Sequence, residues 1–185
     1  QAGLYGLLFG ITCFGIGCSW VDVSIHQFGN VMSWLAAFIT FLFVFILALF
    51  PATLGLTMNR LFKNKSDPIR CLVIFPALWV VWELLRSWIF SGFPWLLLGY
   101  SQLTTPLRGL APIVGVYGIS WAVAFIGAGL SLLARRNSNV TKGCCVSIIA
   151  LIVVLGWGFN KHHWTKPIDK TLKISLVQGN IASTM

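Results

Sequence analysis

Glu83 and Arg86 stand three residues apart inside the apolar, tryptophan-rich stretch that runs from Pro76 to Tyr100. A helix brings positions i and i+3 to one face. A carboxylate and a guanidinium so placed can form a hydrogen-bonded ion pair, or offer both signs of charge to the polar headgroup of a ligand. Trp79 lies one turn before Glu83 and Trp82 one turn before Arg86, where an indole face can add a cation–π contact. At about 1.5 Å per residue, the run from Ile69 to Phe90 is long enough to cross a bilayer core. Each charge there costs roughly 2.5–3.5 kcal/mol on insertion scales, so a mutual pair is the expected way to lower that cost. Two roles are open to such a pair: fastening helix to helix, or orienting a substrate headgroup near the outer membrane surface.

The residues just after the pair favour the surface. Gly92-Phe93-Pro94-Trp95 cannot continue a helix, because Pro94 has no amide donor and biases Phe93 away from the helical region. The chain therefore turns at the interface, where Trp88, Trp95 and Tyr100 suit the aromatic belt. Glu83, Arg86, Trp95, Tyr100 and Gln102 are the candidate substrate-binding residues, since they converge at the depth of a phospholipid headgroup.

The elements that must position these groups are membrane spans. With 57% hydrophobic and 9% charged residues and a mean hydropathy of +0.86, the 185 residues do not describe an ordinary soluble domain. A net charge of +9 would suggest nucleic acid in a soluble chain, but here the bases fall in short loops between apolar runs, which is topology and not a nucleic-acid footprint. The expected fold is an all-α polytopic membrane helix bundle of about five spans, near 3–20, 31–58, 69–90, 109–134 and 143–159, embedded in the lipid bilayer. Gly6-x-x-x-Gly10 in the first permits close backbone approach. Val21 to Asn30 is polar enough for a loop, with Asp22 and His26 solvated. Pro51 should bend the second span, and the fourth, which contains Pro112, Gly115, Gly118, Gly127 and Gly129, should be irregular in its first turns. Seven of the thirteen Lys and Arg residues, Arg60, Lys63, Lys65, Arg70, Arg135, Arg136 and Lys142, lie in the two loops that this alternation assigns to the cytoplasm.

Cys13, Cys18, Cys71, Cys144 and Cys145 have neither disulfide nor zinc spacing, and His162-His163 lacks the usual helix-face spacing of metal ligands. No metal or cofactor is implied. Beyond a linker at 161–170 the period changes: Leu172, Ile174 and Leu176 alternate with Lys173 and Ser175, which reads as a β-strand opening a soluble domain at 171–185. With no initiating Met at Gln1, the chain reads as a piece of something longer.

Two stretches together resemble the bacterial apolipoprotein N-acyltransferases. One is Trp82-Glu83-Leu84-Leu85-Arg86 leading into Gly92-Phe93-Pro94-Trp95 and Gly99-Tyr100-Ser101-Gln102, then Leu110-Ala111-Pro112 and Gly115-Val116-Tyr117-Gly118-Ile119-Ser120. The other is Leu176-Val177-Gln178-Gly179-Asn180-Ile181, similar to the first strand of that family's nitrilase-like α/β domain. The resemblance implies an inner-membrane acyltransferase with its nitrilase-like domain in the periplasm. The family moves an acyl chain from a phospholipid donor to the N-terminal amine of the diacylglyceryl-cysteine of a lipoprotein, through a thioester on the enzyme. Its Glu, Lys and Cys triad would lie beyond Met185, so no residue here inherits a catalytic role. A small polytopic transporter or channel, with Glu83 and Arg86 lining a path, and a non-catalytic membrane scaffold are the alternative readings.

Overall fold

A computed structural model describes residues 1–135, 138–165 and 173–178. Helix α1 (Ala2–Gly17) bends by 51° at Cys18 and Ser19 into α2 (Trp20–Phe28). Helix α3 (Ser33–Leu61) comes next and continues through Pro51. The third span is composite: α4 (Asp67–Ile69), a π-turn over Arg70–Ile74 and α5 (Phe75–Arg86). Short 3₁₀ segments then lead to α6 (Ala111–Leu133) and α7 (Asn139–Asn160). Four helical stretches are long and apolar enough to cross a membrane, or five if the bent α1–α2 pair forms one span. The chain is therefore a polytopic membrane helix bundle, as its composition requires.

Small residues decide how the bundle closes. A Cβ on Gly6 would overlap the Pro51 carbonyl, and one on Gly10 would lie 2.7 Å from the Ala48 Cα. The Gly-x-x-x-Gly face thus lets α1 and α3 approach at backbone distance. Toward the end of α1 the two helices enclose a small core of Phe14, Cys18, Val44 and Leu47, against which Val21, Phe43 and Phe93 pack.

At the basic end, Arg135 reaches Asp67 at 3.1 Å and Arg70 stands 3.8 Å from the same carboxylate. The two base-rich loops therefore share one end of the bundle. At the other end the Arg108 Nε donates to Asn160 Oδ1 at 2.7 Å, joining the start of α6 to the end of α7.

One expectation is corrected. Val21 to Asn30 is not a loop but mostly helix α2. Trp20, Val21, Ile25 and Phe28 supply apolar positions at helical spacing, and Val21 docks on the α1–α3 core. Its His26 closes the next turn, with Nδ1 2.8 Å from the Val31 carbonyl. The third span is interrupted near its start: Pro76 has no amide to offer the Leu72 carbonyl, and the preceding turn opens so that the Phe75 amide bonds Arg70 O, five residues back. It also ends at Arg86, one turn before Phe90. The irregular start of the fourth span is present as a 3₁₀ turn over Pro106–Leu110 and a break at Gly115 (φ 64°). The expected strand falls partly outside the described residues; among those described, 173–178 have no regular secondary structure.

Candidate functional site

The site is the junction between the end of α5 and the irregular segment 87–102. That segment has backbone groups with no helical partners, in surroundings too apolar to leave them bare. Ser91 and Gly92 turn the chain with φ of 72° and 80°, the Phe93 amide returns to the Arg86 carbonyl at 2.9 Å, and Pro94 contributes no donor.

The two charged side chains hold the rest of the turn. Arg86 Nη1 donates to the carbonyls of Phe93 at 2.7 Å and Trp95 at 2.5 Å. Glu83 Oε1 accepts from the Leu98 amide at 2.7 Å and from Trp79 Nε1 at 3.0 Å. Glu83 is only 5% exposed and Arg86 only 4%. Contrary to expectation, they do not pair with each other: among the described residues the ion pairs are those of Asp67 with Arg70 and Arg135. Each charge is matched to backbone dipoles of the turn, which gives charge-assisted hydrogen bonds without an ion pair. The cation–π partner also differs, since the Arg86 guanidinium stands 5.2 Å from the ring centre of Phe14 on α1.

Further contacts fasten the same segment. The Gly99 amide donates to the buried Ser120 Oγ of α6 at 2.8 Å. Phe93 meets Phe43 edge-on at 5.0 Å and stacks on Trp95 at 5.2 Å. Leu96, held at φ 57°, faces a cavity of about 50 Å³ shared with Glu83, Arg86, Trp79, Trp82 and Cys13. Positive φ in a bulky residue costs of order 1–3 kcal/mol, and its neighbours supply the constraint: Arg86 holds the carbonyl before it and Glu83 the amide two residues after.

The five predicted residues thus divide. Glu83 and Arg86 are buried and engaged with backbone. Trp95 and Tyr100 are about half exposed on the turn they hold. Gln102 sits in a local network, donating to Ser101 Oγ at 2.8 Å and accepting from Thr105 Oγ1 at 2.9 Å. The roles of Trp79, Ser120 and the Leu98 amide escaped the sequence reading. Trp79, one turn before Glu83, was the nearest signal, whereas nothing in the spacing pointed to contacts 15 or 21 residues away.

No described residue is arranged as a nucleophile. The nearest case is Ser33 Oγ at 3.5 Å from His26 Nε2, too long for a good hydrogen bond, with the other ring nitrogen on a backbone carbonyl.

Fold and site together define a polytopic membrane helix bundle with a buried acid and a buried base fixing an aromatic turn at one end. Residues 1–129 match the apolipoprotein N-acyltransferase N-terminal domain family, and the chain belongs to it. Among curated relatives it is similar to the apolipoprotein N-acyltransferase of Coxiella burnetii, 48% identical over 97% of this chain and 37% of that protein. It is also similar to that of Methylococcus capsulatus, 44% identical over 98% of this chain and 36% of the relative, and to that of Pseudomonas syringae, 38% identical over 100% and 37%. The chain spans a little over a third of the length of these relatives.

Proposed function

We propose that this chain is the membrane portion of an enzyme that transfers an acyl chain from a phospholipid to the N-terminal amine of a diacylglyceryl-cysteine in a lipoprotein. The match of residues 1–129 to the apolipoprotein N-acyltransferase N-terminal domain carries this reading. Residues 1–160 form the bundle in the bacterial inner membrane, 161–170 link it outward, and 171–185 open a nitrilase-like domain on the periplasmic side. The Glu, Lys and Cys that perform the transfer belong to that domain, outside this chain.

In this reading the bundle anchors the catalytic domain at the lipid surface and helps admit two lipid-bearing substrates. Trp95 and Tyr100, exposed on the turn, meet the phospholipid at headgroup depth, with Gln102 beside them. Glu83 and Arg86 act as positioning residues beneath it. A transporter path is not favoured, because both charges are committed to backbone groups of one turn.

The test is transfer of a labelled acyl chain from phospholipid vesicles to a diacylglyceryl-cysteine peptide. The full-length protein in nanodiscs should catalyse it, and Gln1–Met185 alone should insert into membranes without doing so. A full-length protein that binds both lipids and transfers nothing would overturn the assignment.

A further inference from the structure

Arg108 and Lys161 stand at the end of the bundle opposite to the base-rich loops, where the positive-inside rule gives no reason for bases. Pairing gives none either. Both side chains are exposed, and among the described residues the ion pairs are those of Asp67, at the other end. The sequence that follows adds Lys166, Lys170 and Lys173 against a single acid, Asp169. Uncompensated cations at the rim of a membrane bundle attract the phosphates of anionic lipid.

Backbone packing holds the two in place. A Cβ on Gly109 would overlap the Gly156 carbonyl, and one on Gly156 would lie 2.9 Å from the Pro106 carbonyl, so the 3₁₀ turn that bears Arg108 lies directly against the last turns of α7. Asn160 Oδ1 accepts from Arg108 Nε at 2.7 Å, which orients the guanidinium, while Nη1 has only a long approach of 3.5 Å to the Leu103 carbonyl. The outer edge of the fork is thus left to an acceptor from outside, and a phosphate matches it. One residue beyond Asn160, the Lys161 ammonium lies 3.6 Å from the ring centre of Trp157, whose indole is half exposed. Trp164, set against Phe159 and His162, adds a second half-exposed indole. Indoles at the end of a span mark headgroup depth, so these cations sit at the level of the lipid phosphates. We propose that this collar binds the headgroup of an anionic phospholipid, with Arg108 and Lys161 on its phosphate. A zwitterionic headgroup would bring its own ammonium to the two bases and is disfavoured. The lipid here is bound and not consumed: the inference rests on the membrane bundle alone and holds whether or not the protein transfers acyl chains.

The experiment is native mass spectrometry of the full-length protein in detergent, titrated with phosphatidylglycerol or with phosphatidylcholine of equal chain length. The first phosphatidylglycerol should bind about tenfold more tightly than phosphatidylcholine, and Arg108→Gln and Lys161→Gln should each weaken it about fivefold while leaving phosphatidylcholine unchanged. Lys161→Arg should retain the wild-type affinity. Lys161→Gln alters only an exposed side chain, so it decides the matter even where Arg108→Gln, which also loses the Asn160 bond, fails to fold. Lys63→Gln removes the same charge at the base-rich end and should leave the first phosphatidylglycerol in place. Equal affinity for the two lipids, wild-type binding by Lys161→Gln, or as large a loss in Lys63→Gln would overturn the inference.

Discussion

Glu83 Oε1 lies 2.7 Å from the backbone amide of Leu98, fifteen residues further along the chain, and does not contact the arginine one turn away on its own helix. Arg86 does the same in the other sense, holding the carbonyls of Phe93 and Trp95. An acid thus serves the donor end of a turn and a base its acceptor end. The pair is divided between the two kinds of orphaned backbone group that an irregular segment inside a membrane must satisfy.

Removing either side chain should therefore unfasten the turn. Glu83→Leu strands the Leu98 amide and the Trp79 indole, and Arg86→Met strands the carbonyls of Phe93 and Trp95, at a cost of about 1–3 kcal/mol for each group left bare. Glu83→Gln keeps an acceptor for Trp79 and Leu98 and should cost only about 1–2 kcal/mol. Thermal unfolding of the purified protein in detergent checks the order: equal losses for Gln and Leu would show that the hydrogen bonds to Oε1 do not matter.

The glycines separate contact from spare room. Gly10→Leu should disrupt the α1–α3 contact, because even a Cβ there meets Ala48 and Pro51 at 2.7 Å. Gly127→Ala should be neutral or stabilising by up to about 1 kcal/mol, since its Cβ meets nothing within 4 Å and alanine is the better helix former. Folded yield and thermal midpoint of the two variants provide the comparison.

Asp67 and Arg135 predict topology. Their contact places the α3–α4 and α6–α7 loops on one membrane face, with Trp95 at the opposite end of α5. In a cysteine-free background, Ser66→Cys and Ser138→Cys should react with a membrane-impermeant maleimide only from the side opposite to Trp95→Cys. Labelling of all three from one side would refute the arrangement.

Much of this was legible in the chain. Apolar runs of sufficient length marked the spans, Gly6 and Gly10 marked a face for close helix approach without naming its partner, and Gly92 with Pro94 marked the turn. The site was only half legible. Spacing says which side chains are neighbours on a helix, but the preferred partners of Glu83 and Arg86 are backbone groups of a segment whose path depends on Phe93 docking against Phe43 and Ser120 capturing Gly99. Helix α2 was hidden because Asp22, His26 and Gln27 dilute its apolar stripe, and the π-turn because its cause, Pro76, lies just past it.

In the proposed function the turn held by Glu83 and Arg86 meets the phospholipid. The most direct test is the phospholipid dependence of acyl transfer by the full-length enzyme carrying Trp95→Ala. Its half-exposed indole can be removed without opening the core, so folded yield and kcat should stay within about twofold. KM for phospholipid should rise about tenfold, equivalent to ~1.4 kcal/mol of lost lipid contact. An unchanged KM alongside a lowered thermal midpoint would mean that the turn only braces the bundle and does not touch the lipid substrate.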